Sequence, residues 1–276
     1  MIKITNLVEN NMSENMALRA EHGLSFFVET SEHKILFDCG PGDAILHNAR
    51  YLGVDLSSAE CVVLSHNHWD HTIGYREVVE AELVPPLLYT GPKFFQCKYA
   101  KAGMRYTDLS CGFKEDFLDK HHIEHKVVEG VVELAPNLWL MSGFKRTHAF
   151  ETIPTRFVKD VNGTMVEDDF ADEVCLIMNT EKGLVVLVGC SHPGLLNIIT
   201  TVHEKFGKPI YGVIGGTHLM EADNKRIDKT IAELQQMGIQ VAGLCHCSGT
   251  LAREEIDKHE DLAGCQIHVG GVIFLK

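Results

Sequence analysis

Three histidines and an aspartate fall within six residues of this chain, His66-Asn67-His68-Trp69-Asp70-His71. Their types and spacing suit metal chemistry. In an extended segment residues i and i+2 face the same way, so His66 and His68 can address one cation. A turn after them swings Asp70 and His71 to the other side, where they can hold a second. Neutral imidazole and carboxylate are ligands that Zn²⁺ accepts, and Mn²⁺ and Fe²⁺ are the other candidates. Three more histidines recur in glycine- or cysteine-rich turns: His192 in Gly189-Cys190-Ser191-His192-Pro193-Gly194, His218 in Gly215-Gly216-Thr217-His218 and His246 in Cys245-His246-Cys247-Ser248-Gly249.

These residues need a scaffold whose strands end at a common rim. The short apolar run Cys61-Val62-Val63-Leu64 reads as a buried strand and leads straight into the first motif. Strands expected over 183–188, 210–214 and 239–244 stop just before His192, His218 and His246 in turn. Ligands of α/β proteins gather at the carboxyl ends of strands, so four such ends would bring these histidines together. The rest of the pattern supplies strands and covering helices. An edge strand is expected over 1–8, and hairpins over 24–37 and 172–188. Helices are expected over 44–52, about 72–81, 195–206 and 225–237, the last with Ile227, Ile231, Leu234 and Met237 on one face. A final strand is expected over about 266–274. Helices starting near Gly194 and Gly249 would offer amide donors to an anion. Residues 91–125 show no regular pattern and read as an insertion. Its Phe94, Phe95, Tyr99, Tyr106 and Phe113 either wall a pocket or form a small core of their own. His121, His122 and His125 lie on a charged stretch that reads as a solvated helix face.

At 276 residues and 45% hydrophobic content the chain can bury a sizeable core. It has no linker-like or low-complexity tract, so a single domain over 1–276 is expected. No run approaches membrane-span length, and no basic start precedes an apolar block, which argues against a membrane partner. Nine cysteines without framework spacing read as reduced thiols in a cytoplasmic protein. A formal charge of −13 argues against nucleic acid, whose backbone demands a Lys/Arg surface. The expected partner is a small, anionic molecule drawn locally to the metal charge. Nothing in the sequence indicates an oligomeric state.

The His-x-His-x-Asp-His stretch, placed after a buried strand, resembles the metallo-β-lactamase-fold superfamily. The resemblance implies an α/β (α+β) αββα sandwich, two mixed sheets flanked by helices, with a one- or two-metal site at one edge. It implies that His66, His68 and a third histidine hold one cation, and that Asp70, His71 and a final histidine hold the other. His246 matches the final position. His192 is the choice for the third, with His148 in Lys145-Arg146-Thr147-His148 as its competitor. Asp38, in Phe37-Asp38-Cys39-Gly40, matches an aspartate that supports the metal loop. Where the superfamily usually shows Gly-Asp-Thr, with an aspartate bridging both metals, this chain has Gly189-Cys190-Ser191. Either Cys190 takes that position, or a water or substrate oxygen alone joins the metals. A free cysteine is most often a small buried residue, so Cys190 stays outside the expected ligand set.

The turns around His192, His218 and His246 resemble one branch of that superfamily, typified by the archaeal 7,8-dihydropterin-6-methyl-4-(β-D-ribofuranosyl)aminobenzene-5′-phosphate synthase. The main expectation is nevertheless a metal-dependent hydrolase with two zinc ions, acting on a phosphorylated or pyrophosphorylated small molecule through a metal-activated water. Asp70 would orient the nucleophile, and His218 would donate a proton or hold a phosphate. The alternative is a transferase that condenses a dihydropterin pyrophosphate with an aminobenzene ribofuranosyl phosphate. An iron-dependent redox enzyme and a non-catalytic metabolite sensor are the remaining readings.

Overall fold

The computed structural model describes residues 1–83, 85–265 and 267–276. Two seven-stranded mixed sheets face each other, with helices on both outer faces. In order across the first sheet stand Val272–Leu275, Ile2–Val8, Ser25–Glu29, Lys34–Phe37, Cys61–Val63, Leu87–Thr90 and Glu124–Val127. Pairing is antiparallel up to Lys34–Phe37 and parallel beyond it. The second sheet runs Ala263–Gly264, Val241–Cys245, Ile210–Gly216, Gly183–Val188, Cys175–Thr180, Leu138–Met141 and Val131–Ala135. Its four strands from Gly183 onward are parallel. The expected αββα sandwich is the fold observed.

Alternation along the strands explains the layers. Phe26, Val28, Phe37 and Val63 point inward and meet Leu140, Leu176, Val185 and Leu187 of the other sheet. Their neighbours Phe27, Leu36 and Val62 point outward, under Ile45 and Ala49 of helix Ala44–Leu52 and Val78 of helix Gly74–Glu80. On the opposite face Ile177, Val186 and Val213 lie beneath helices Leu195–Phe206 and Asn224–Gln236. Strands covered on both faces are apolar on both, which is why their hydrophobic runs are continuous. No helix among the described residues is long and apolar enough to cross a membrane.

Three differences from the sequence reading bear on the site. The first strand is not an edge, because Val272–Leu275 returns to pair with it, Ile2 opposite Leu275. Gln266, where that last strand was expected to begin, lies outside the described residues. The helix expected over about 72–81 is two, Trp69–Thr72 and Gly74–Glu80. Gly74 sits so close to the Cys39 carbonyl that a Cβ there would lie 2.1 Å from it, and its N–H donates to Gly40 at 2.9 Å. Residues 91–125 are structured: Lys98–Ala102 and Arg105–Asp108 join Phe157–Val161 and Thr164–Glu167 in a third, four-stranded sheet. Phe94 and Phe113 of that segment are buried against Tyr75, so they serve a core.

Candidate metal centre

Strand Cys61–Val63 ends at a loop held from several sides. Asp38 carries the first set of contacts. Its Oδ1 accepts from Ser65 N–H (2.7 Å), and its Oδ2 accepts from Ser65 Oγ (2.7 Å) and meets His71 Nδ1 (2.7 Å). With Nδ1 engaged, His71 presents Nε2 to the site. A buried ion pair carries the second set: Lys98 Nζ lies 2.6 Å from Asp172 and 3.1 Å from Asp168, and Asp172 Oδ2 accepts from Asn67 N–H at 2.8 Å. Asn67 therefore stands clamped between His66 and His68. Sequence reasoning missed Lys98, Asp168 and Asp172, which lie far along the chain and carry no local motif.

The structure brings His66, His68 and His192 together, with one ligand atom of each within 4.8 Å of the others. Their Nε2 atoms are buried and have no hydrogen-bond partner. Burial and the neighbouring imidazoles hold all three rings well below the usual histidine range, so they are neutral. Three uncharged, buried nitrogens converging without a partner are costly in a folded protein unless something completes them. A cation does so, and the donor set fits one. His148 does not join them; it lines a separate cleft with Arg146, Glu151 and Phe157.

Asp70, His71 and His246 form a second group beside the first. His71 Nε2 is 3.2 Å from His246 Nε2, which is 3.3 Å from Asp70 Oδ2. Burial opposes a charge on His71, but Asp38 and Asp70 outweigh it and raise the ring to about 9. Burial alone would raise Asp70 as well; the His71 charge and hydrogen bonds from His22 and His246 hold it well below the usual carboxylate range. His246, by burial, is pushed down to about 4. Glu9 and Asn10 steady this histidine: Glu9 Oε1 accepts from its N–H (2.6 Å) and Asn10 Oδ1 contacts its Nδ1 (2.9 Å). Half-exposed His22 reaches Asp70 at 3.4 Å. Glu9, Asn10 and His22 were also missed, because they lie at the other end of the chain from His246.

The aromatic wall is Phe157 and Phe170, not the phenylalanines of 91–125. Phe170 stacks on His192 with ring centroids 3.8 Å apart and 13° between planes. Phe157 faces His68, His192 and His218 at 5.7, 5.2 and 5.5 Å. It also borders the Arg146 cleft, of about 490 Å³. His218 sits beside His192 at 4.5 Å, and burial pushes its ring down to about 4. At that value the ring is neutral at pH 7, with one nitrogen able to donate and the other to accept. The amides expected near Gly194 to bind an anion are taken: Leu196 and Asn197 N–H donate to Glu151 at 2.9 and 2.8 Å. Asp38, Ser191, His218 and His246 all adopt positive φ, between 51° and 57°. That left-handed region costs a residue with a Cβ, and it recurs where a site must be shaped.

Comparison with known proteins agrees with this geometry. The family model for the metallo-beta-lactamase superfamily matches residues 18–159. The chain is 32% identical to the 7,8-dihydropterin-6-methyl-4-(beta-D-ribofuranosyl)-aminobenzene-5'-phosphate synthase of Methanocaldococcus jannaschii, over 99% of this chain and 96% of that one. Among solved structures, Tm1679, described as a metal-dependent hydrolase of the beta-lactamase superfamily, superposes with TM-score 0.85 at 28% identity, covering 100% and 99% of the two chains. Zinc-bound PqqB from Methylobacterium extorquens superposes with TM-score 0.55 at 11% identity over 99% and 100%, a likeness of fold alone. The synthase overturns the expected hydrolase: a named relative similar over the full length makes a bond, and hydrolysis is suggested only by neighbours in fold. The physical reason is that a cage of cations offsets charge on a leaving phosphate whether water or an amine attacks. The relative and the fold support an enzyme, and the family with its buried donor clusters supports metal binding.

Proposed function

Because the chain belongs to the metallo-beta-lactamase superfamily, we propose that it is a synthase of the transferase type, which condenses a dihydropterin pyrophosphate with an aminobenzene ribofuranosyl phosphate. The observation that carries this reading is the full-length similarity to the Methanocaldococcus jannaschii synthase. His66, His68 and His192 would hold one divalent cation and Asp70, His71 and His246 a second. Zinc suits these nitrogen and carboxylate donors, with manganese or iron as substitutes. Bound there, the cations would supply positive charge against the negative charge growing on the departing pyrophosphate.

The chain's own groups do the rest. The acceptor's aromatic amine nitrogen forms a bond to the methylene carbon on the pterin ring, and the carbon–oxygen bond to pyrophosphate breaks with its electron pair leaving on oxygen. Neutral His218, at the mouth beside His192 and Phe157, takes the proton that the amine gives up. Asp70, held ionised, would keep the amine oriented. Phe157 offers a flat apolar face to an aromatic ring, and exposed Arg146, lining the cleft beyond it, would meet a phosphate. The substrates are thus small and anionic. A cytoplasmic setting accords with nine free cysteines.

The test is incubation of metal-loaded protein with both substrates. The coupled pterin–aminobenzene product and one pyrophosphate per turnover are expected. Pyrophosphate released at the same rate with and without the acceptor, with no coupled product, would overturn the reading.

A further inference from the structure

Cys190 lies between the two donor groups. Its Sγ is 3.1 Å from His71 Nε2. It forms one cluster with His66 and His71 and another with His246 and Cys247, the donor atoms of each lying within 4.8 Å of one another. Among the described residues His66 and His246 also belong to two clusters each, His66 sharing one with His68 and His192 and His246 one with His22 and Asp70, so Cys190 connects the two groups. In the Cys190 cluster the fully buried His66 keeps an Nε2 without a hydrogen-bond partner. An ordinary buried cysteine packs its sulfur on carbon. This one faces three imidazoles.

The backbone fixes that direction. A Cβ at Gly189 would lie 2.1 Å from Ser65 Oγ, so the end of strand Gly183–Val188 is pressed against the metal loop. Ser191 then turns through φ +57°, its N–H donating to Glu173 (2.9 Å) and its Oγ to the Gly216 carbonyl (2.7 Å). Cys190 and His192, two residues apart, are thereby both delivered to the cage. The Sγ of Cys247, the other sulfur of the cluster with His246, accepts from His218 N–H at 3.2 Å, lies 3.7 Å from the Cys190 carbonyl and shares no cluster with His71 or His66.

We propose that the Cys190 thiolate is itself a metal ligand, joining His71 and His246 on the second cation in the place where the superfamily usually has a bridging aspartate. The proposal rests on the reading that these clusters hold cations. Binding releases the thiol proton to solvent. A sulfur donor biases that position toward zinc, cobalt or iron(II) and away from magnesium and manganese, so the second position differs from the all-nitrogen first in the metals it selects.

Reconstitution of the full chain with cobalt(II) tests this, reading cobalt per chain by mass spectrometry and the thiolate-to-cobalt charge-transfer band in the near ultraviolet. Two cobalt ions and the band are expected in the unaltered protein. Cys190→Ser should lose the band and bind the second cobalt at least about 10-fold more weakly. Cys190→Asp, which restores a charged ligand and guards against a serine variant that fails to fold, should bind two ions without the band. Cys247→Ser should keep it. Two ions bound without a band in the unaltered protein, a band surviving in either Cys190 variant, or a band lost in Cys247→Ser would each overturn the thiolate ligand while leaving the metal reading intact. A chain that takes up no cobalt overturns the metal reading itself.

Discussion

The two halves of the cage solve the same problem in opposite ways. His66, His68 and His192 are neutral, sealed by Phe170 and left with unpartnered nitrogens. Asp70, His71 and His246 lie against one another, and Asp38 and Asp70 raise His71 to about 9. The first group offers a cation three neutral nitrogens, and the second offers a carboxylate together with its imidazoles. Cation binding to the second should therefore release more protons than binding to the first.

The strongest way to break this contrast is to remove a donor from the first group. His68→Ala should empty it and cut coupling by about 10³-fold, the rate equivalent of ~4 kcal/mol of lost charge stabilisation. Metal content by mass spectrometry and product formation check it; retention of both ions would refute the grouping. Next comes the support of the metal loop. Lys98→Met leaves Asp168 and Asp172 buried without their cation, and should destabilise the fold by roughly 3–5 kcal/mol. A thermal melt with an unchanged midpoint would show that the ion pair holds nothing.

A third change sharpens the asymmetry. Asp38→Asn withdraws the carboxylate from His71 Nδ1, and should weaken the second ion by roughly 10–100-fold with the first unaffected. Titration calorimetry resolving two binding steps would show this; equal weakening of both would merge the groups. The most gradual effect is on pH. His66, His68 and His192 are depressed in the fold and titrate near 6.5 when unfolded. The stability they contribute is therefore complete above about pH 6.5 and is lost as pH falls below it. His71, raised to about 9, works the other way: its contribution is complete below about 6.5 and is lost as pH climbs through 9. Denaturant midpoints of metal-free protein across pH 5–10 should fall off at both ends, and a flat profile would contradict both shifts.

The parts of this arrangement legible in the sequence are those with a local signal. His66, His68, Asp70 and His71 are neighbours in the chain, and His192, His218 and His246 each follow a strand whose apolar run gives it away. Helices such as Leu195–Phe206 show through their periodicity. What stayed hidden depends on separation. Lys98 meets Asp172 across 74 residues, and Glu9 meets His246 across 237. No spacing rule links such pairs, and the strand carrying Lys98 is half polar, so the segment around it looked irregular. Phe170 and Phe157 escaped notice because a single aromatic in a loop or short strand looks like any core residue. The chemistry escaped for another reason: hydrolysis and condensation ask the same thing of the cage.

The left-handed backbone at Asp38, Ser191, His218 and His246 has an evolutionary corollary. Each such residue carries about 1–3 kcal/mol of strain that the rest of the sandwich must outweigh. Selection for heat tolerance alone would relax these turns first, and the sturdier descendants would be the ones that had forgotten their reaction.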